Sequence, residues 1–65
     1  MKHIEIVKAK GKPGFRVDAK GEGYEIGYIE WDADFKSNIF APLESTVYTP
    51  DCLVEIAEFM RANRE

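Results

Sequence analysis

The sequence predicts an α+β domain in which an antiparallel β-meander of three to four strands carries one C-terminal amphipathic helix on one face. Two patterns predict this fold. Turns that contain glycine or proline separate short segments rich in β-branched and aromatic residues. An amphipathic segment with a helix-start signal then occupies residues 49–63. The 65 residues suffice for one small domain over residues 1–65.

The first two strands are predicted to form a hairpin around the turn of residues 11–14. Residues 15–20 alternate apolar and charged side chains, which is typical of a strand with one buried face. Residues 4–10 also favour a strand, but the apolar side chains change face between Ile6 and Val7. Either a bulge or a strand covered on both sides would explain this change.

The third strand is predicted over residues 24–31, and Gly27 within it indicates a bulge. Alternation places Tyr24, Ile26 and Tyr28 on one face and Trp31 on the other. Residues 39–41 form a short strand that the following proline confines to an edge or a strand end. Residues 46–48 are too short to assign, and continuation of that strand after a kink is one interpretation.

The helix start is the clearest local signal. Thr49 is a suitable N-cap, Pro50 fits the first helical position, and Asp51 complements the positive end of the helix dipole. One arc of the helix is apolar and is formed by Cys52, Leu53, Ile56, Ala57, Phe59 and Met60. Glu55, Glu58 and Arg61 lie on the opposite side, and Arg61 and Arg64 near the helix end complement its dipole. The apolar arc must pack on one face of the sheet, which leaves the other face uncovered.

The reactive side chains argue against several functional classes. A single cysteine, Cys52, allows no internal disulfide, and it lies in the apolar arc as an inert thiol. One histidine, His3, and one cysteine do not form a zinc motif. We therefore expect no metal, no cofactor and no enzymatic activity. Because the chain has no signal-peptide core and no membrane-spanning run, we expect a cytoplasmic protein.

The charge is distributed unevenly, although the net charge is only −3. Residues 1–20 contain six basic and two acidic side chains, whereas residues 21–65 contain three basic and ten acidic ones. This pattern predicts a bipolar molecule with a basic hairpin and an acidic remainder. It favours either attraction between neighbouring elements or steering of a charged partner.

The candidate partner-binding residues are Tyr28, Glu30, Trp31, Asp32 and Asp34. The three carboxylates follow one another at a spacing of two, so they share a face if the strand continues. They fit a solvated strand end, a row of negative charge that resembles phosphates, or ligands for a hard cation. An exposed aromatic cluster with charged neighbours is typical of a protein-binding surface. We therefore expect contact with a basic surface of a larger protein or ribonucleoprotein.

Two alternatives remain open. The basic hairpin offers Lys8, Lys10, Lys12 and Arg16 to a nucleic-acid backbone, but the sequence pI of about 5.1 argues against that interpretation. The uncovered sheet face or an edge strand offers a surface for self-association as a homodimer.

The segment GYIEWDADFKSNIFAPLESTVYTPDCLVEIAEFM resembles small proteins carried by phages and prophages. In such proteins a meander ends in an aromatic and acidic strand and leads to a helix that starts at Thr-x-x-Cys-Leu. The resemblance covers residues 24–60 in arrangement. It implies an inhibitor of a host defence system, of the anti-CRISPR kind, that acts by occupying the surface of a nucleic-acid-handling complex. It assigns no functional residue.

Overall fold

The computed structural model describes residues 1–63 and contains four strands followed by one helix. These elements are β1 (Ile4–Lys8), β2 (Phe15–Ala19), β3 (Glu25–Asp32), β4 (Ser37–Pro42) and α1 (Pro50–Ala62). The predicted α+β meander with a C-terminal helix is therefore confirmed. Arg64 lies outside the described residues. No helix within residues 1–63 is both long and apolar enough to cross a membrane.

The four strands form one antiparallel sheet in the order β1-β2-β3-β4. β1 pairs with β2 in unbroken register from Ile4 opposite Ala19 to Lys8 opposite Phe15. The bulge considered for the first strand is therefore absent, and Val7 points away from the helix instead. Residues 46–48 belong to a loop and do not continue β4.

A β-bulge interrupts the pairing of β2 with β3. Val17 lies opposite Gly27, whereas Asp18 lies opposite Glu25, so Ile26 is the extra residue on β3. The predicted bulge near Gly27 is thus confirmed. It also corrects one expectation: Ile26 enters the core and does not share a face with Tyr28.

The core lies between one sheet face and α1. Ile56 on the helix packs with apolar residues from three strands, which are Ile4, Val17, Ile26 and Ile29. Phe59 meets Phe15 edge to face, with ring centroids 5.0 Å apart. The apolar arc predicted for the helix is therefore largely the face that packs, although Leu53 at its margin remains 49% exposed.

Both ends of the helix have capping contacts. The backbone N–H of Cys52 donates to the hydroxyl of Thr49 at 3.3 Å, and Pro50 follows this N-cap as predicted. At the other end, the Asn38 side-chain amide donates to the carbonyls of Met60 and Asn63, both at 2.9 Å. Asn38 belongs to β4, so this contact fixes the helix end over that edge of the sheet.

Glu55 was expected to face solvent, and the structure corrects this. Its carboxylate accepts hydrogen bonds from the backbone N–H groups of His3 and Ile4 at 3.1 to 3.3 Å. The carboxylate therefore joins the middle of α1 to the start of β1. Together with Asn38 at the helix end, it sets the direction in which α1 crosses the sheet.

Candidate functional site

The sheet face opposite the helix is the first candidate site. Its central row crosses all four strands, because the register pairs Val7 with Arg16, Arg16 with Tyr28, and Tyr28 with Ala41. Residues paired in this way project to the same side of an antiparallel sheet. No element within residues 1–63 covers this side. We call it the open face; it comprises Glu5, Val7, Arg16, Asp18, Glu25, Tyr28, Glu30, Asp32, Ser37, Ile39 and Ala41.

Arg16 is held among the carboxylates of the open face. It makes two hydrogen bonds of 3.0 Å to Asp18, one from Nε and one from Nη2. The hydrogen bond and charge of Asp18, followed by the charges of Glu25 and Glu5, raise the pKa of Arg16 above its ordinary value. Since Arg16 is partly neutralised in this way, it contributes little positive potential.

Tyr28 lies at the centre of the open face and is partly buried. The ammonium group of Lys12 lies 4.2 Å from the centroid of its ring, which is a cation–π geometry. The β1–β2 turn therefore folds back over one part of the ring. Along the row, Tyr28 lies between Arg16 and Ala41, and Val7 and Ile39 are further apolar residues of the same face.

The five predicted partner-binding residues do not form one surface. Tyr28, Glu30 and Asp32 belong to the open face, whereas Trp31 points to the helix side, where its neighbour across the strands is Asn38. The carboxylate of Asp32 accepts hydrogen bonds from the backbone of Asp34 and Phe35 at 2.8 and 3.1 Å. Asp32 thus organises the β3–β4 turn, and Asp34 lies in that turn beyond the strand. Of the predicted row of three carboxylates, Glu30 and Asp32 therefore share one side of β3, and Asp34 lies beyond the strand.

Sequence reasoning missed several residues of the open face. Val7 was recognised only as an irregularity of the first strand, and Ile39 was not connected with Tyr28. The register that brings them together depends on turn lengths and on the bulge at Ile26. Alternation within one strand carries no such information.

The predicted nucleic-acid residues are also divided. Lys8 lies in register with Phe15 and points to the helix side, whereas Arg16 belongs to the open face. Lys12 contacts Tyr28, and Lys10 is an exposed residue of the turn. The basic hairpin therefore does not present these four side chains as one patch.

A second candidate site surrounds Trp31, whose side chain is 36% exposed. Trp31 and Asn38 line two grooves at the same end of the molecule. One groove has a volume of about 590 Å³ and is bordered by Lys36, Met60 and Arg61. The other has a volume of about 570 Å³ and is bordered by Lys8, Phe15 and Glu30. Both volumes are in the range of ligand-binding clefts.

Other reactive side chains of the molecule include Cys52 and His3. Within residues 1–63, histidine, cysteine and carboxylate side chains form no cluster of three that could hold a metal ion. Cys52 is partly buried beside the core. Nε2 of His3 lies 3.8 Å from carboxylate oxygens of Asp51 and Glu55, so this side chain is associated with the first turns of the helix.

No protein-family model matches the chain, and no detectable similarity to a curated protein or to a solved structure is found. The resemblance to phage proteins therefore stays a prediction.

Proposed function

We propose that this protein is a non-enzymatic binding protein that docks its open face on a basic surface of a larger protein. One observation carries the proposal: a row of residues centred on Tyr28 crosses all four strands on the side away from the helix. An amphipathic aromatic ring near the centre of a surface, with charged residues around it, is a usual arrangement of a protein-binding site.

The charge of the open face favours a basic partner. Five carboxylates belong to it, and Arg16 and Lys12 are cations beside them. Arg16 is paired with Asp18. A second copy of the same face would bring like charges together, which opposes a homodimer through this surface.

The size of the sheet is adequate for a specific interface. A standard interface covers about 800 Å² on each partner, which is about a sixth of the 4870 Å² surface of this protein. A four-stranded face held by a helix on its other side needs little ordering on binding. Small loss of conformational freedom favours affinity.

The proposal extends to the class of partner. Proteins and ribonucleoproteins that handle nucleic acid present basic surfaces, and the open face has the complementary charge. On this proposal the protein acts in the cytoplasm, and a phage-encoded inhibitor of a host defence complex is the form of this function that the sequence resemblance implies.

Photo-crosslinking tests the docking surface. Tyr28 is replaced by p-benzoylphenylalanine, which keeps an aromatic ring, in the cells that produce the protein. We expect a covalent adduct with a larger basic protein on illumination. Charge reversal by Glu25→Lys together with Glu30→Lys should reduce the adduct roughly tenfold, because it removes the attraction and replaces it with repulsion.

The matched control reverses two carboxylates away from the open face, Glu44→Lys and Glu58→Lys, both of which are exposed. It alters the net charge equally and should preserve the adduct. Equal losses in the two double variants would show that only net charge matters, contrary to the proposal. An adduct with the mass of two copies of this chain would replace the basic partner with a homodimer.

A further inference from the structure

Trp31 does not belong to the open face, so it takes no part in the proposed docking surface. It points to the helix side of the sheet and lines two grooves, of about 590 and 570 Å³. Asn38 lines both grooves as well, so Trp31 and Asn38 form a wall common to the two grooves. Because Asn38 also holds the carbonyls at the end of α1, the helix forms one wall of this region.

Positive side chains flank Trp31 in both grooves. Lys36 and Arg61 border the first groove, and Lys8 borders the second. These cations come from three separate elements: the β3–β4 turn, α1 and β1. The fold therefore brings together charges that are far apart in the sequence around one exposed aromatic ring.

We propose that these grooves bind a single strand of nucleic acid, with bases stacked on Trp31 and phosphates beside Lys36, Arg61 and Lys8. A partly exposed aromatic ring between cations is the combination with which proteins hold unpaired nucleotides. A single strand fits better than a duplex, because its bases are free to stack on a side chain. It fits better than a mononucleotide, because cations border both grooves and successive phosphates would reach both.

The surroundings also predict that binding is weak and depends strongly on salt. Glu30 borders the second groove, and the net charge of the protein is −3. With three cations near phosphates, the logarithm of the association constant should fall with the logarithm of salt concentration at a slope of about −2.

The test uses Trp31 as its own reporter, because it is the single tryptophan of the sequence. An oligothymidylate of about eight nucleotides is titrated at low salt while tryptophan fluorescence is measured. We expect quenching that saturates and that weakens with salt at the predicted slope. Thymidine monophosphate should bind far more weakly. Equal affinity for the monophosphate, or no quenching by the oligonucleotide, would overturn the proposal.

Substitutions then locate the site. Lys36→Gln and Arg61→Gln should each reduce the steepness of the salt dependence by about 0.7, because each removes one phosphate contact. The matched control is Lys10→Gln, which removes the same charge from an exposed turn that borders neither groove. If Lys10→Gln changed the slope of the salt dependence as much as Lys36→Gln, the effect would come from net charge alone, and the proposal would be overturned.

Two further variants separate stacking from charge. Trp31→Leu, followed by the anisotropy of a labelled oligonucleotide, should weaken binding roughly 10- to 100-fold because stacking is lost. Glu30 belongs to the open face but also borders the second groove, so Glu30→Gln should strengthen binding of the negatively charged strand. This is opposite in sign to the effect expected for docking on a basic protein. Unchanged affinity in Trp31→Leu, with the fold verified by circular dichroism, would rule out stacking on Trp31.

Discussion

Glu55 shows how one side chain joins distant parts of this small chain. Burial raises the pKa of its carboxyl group, but the hydrogen bonds from the backbone N–H groups of His3 and Ile4 lower it, and the net pKa lies below the ordinary value. The carboxylate form is therefore favoured in the folded state. Its contribution to stability is complete above the pKa of an unfolded glutamate, about 4.3, and is lost as the pH falls through the folded value.

This linkage predicts that Glu55→Gln lowers the thermal unfolding temperature at pH 7, because an amide is a weaker acceptor than a carboxylate. The difference from the unsubstituted protein should shrink as the pH falls below the pKa of an unfolded glutamate, about 4.3, and should be lost once the pH lies below the lowered pKa of folded Glu55. Thermal unfolding followed by circular dichroism over this pH range measures the difference.

The control for this prediction is Glu58→Gln, which changes an exposed carboxylate on the same helix. Its unfolding temperature should remain close to that of the unsubstituted protein across the same range. A Glu55→Gln difference of equal size at pH 3 and pH 7 would contradict the role of the ionised carboxylate.

At the scale of elements, the β-bulge in β3 is coupled to the approach of β4. Gly27 follows the extra residue Ile26, and the ring of Phe40 lies directly over its Cα. A Cβ atom at this position would overlap the ring and would lie 3.1 Å from the carbonyl oxygen of Ala41. Phe40 in turn packs edge to face on Tyr48, with centroids 5.6 Å apart. Glycine is therefore required here by close approach.

This packing predicts that Gly27→Ala costs about 2 kcal/mol in the free energy of unfolding, because the ring of Phe40 must move from its packed position. In a Phe40→Leu background the same substitution should cost less than about 1 kcal/mol, since the overlapping ring atoms are gone. Urea unfolding of the four proteins in this cycle measures the coupling. Additive costs would show that the ring does not limit the space at Gly27.

The sequence predicts some elements better than others. Features set by contacts between neighbouring residues are predicted well, whereas features set by contacts between residues distant in the sequence are not. Thr49, Pro50 and Asp51 mark the helix start through contacts within one turn, so the prediction is confirmed. Glu55 looked like a solvent-facing residue because its partner His3 is 52 positions away. The inward turn of Ile26 depends on the register between β2 and β3, which simple alternation cannot supply.

The same limit applies to the candidate sites. Alternation within β3 predicts correctly that Tyr28 and Trp31 point to opposite sides. The partners of each depend on pairing across strands and on the direction of α1. For Tyr28 these are Val7, Arg16 and Ala41 along the row, and for Trp31 they are Asn38 and the end of the helix. The prediction that Tyr28 and Trp31 contribute to one surface therefore could not be checked from β3 alone, because the residues around each ring come from other strands and from α1.

At the scale of the whole molecule, one helix covers one side of a four-stranded sheet, and the two sides have different character. The open face carries five carboxylates together with Tyr28, whereas the helix side ends in the grooves beside Trp31 with Lys8, Lys36 and Arg61. Lys8 and Arg16 of the basic hairpin thus lie on opposite sides of the sheet. Both proposals depend on the position of α1.

Nuclear Overhauser contacts between aromatic rings and the helix test that position most directly. We expect strong contacts between the rings of Phe59 and Phe15, whose centroids are 5.0 Å apart, and contacts between the ring of Tyr28 and Lys12. The ring of Tyr28 should show no contact with side chains of α1. Contacts between Tyr28 and the helix would place α1 over the open face and would contradict the account.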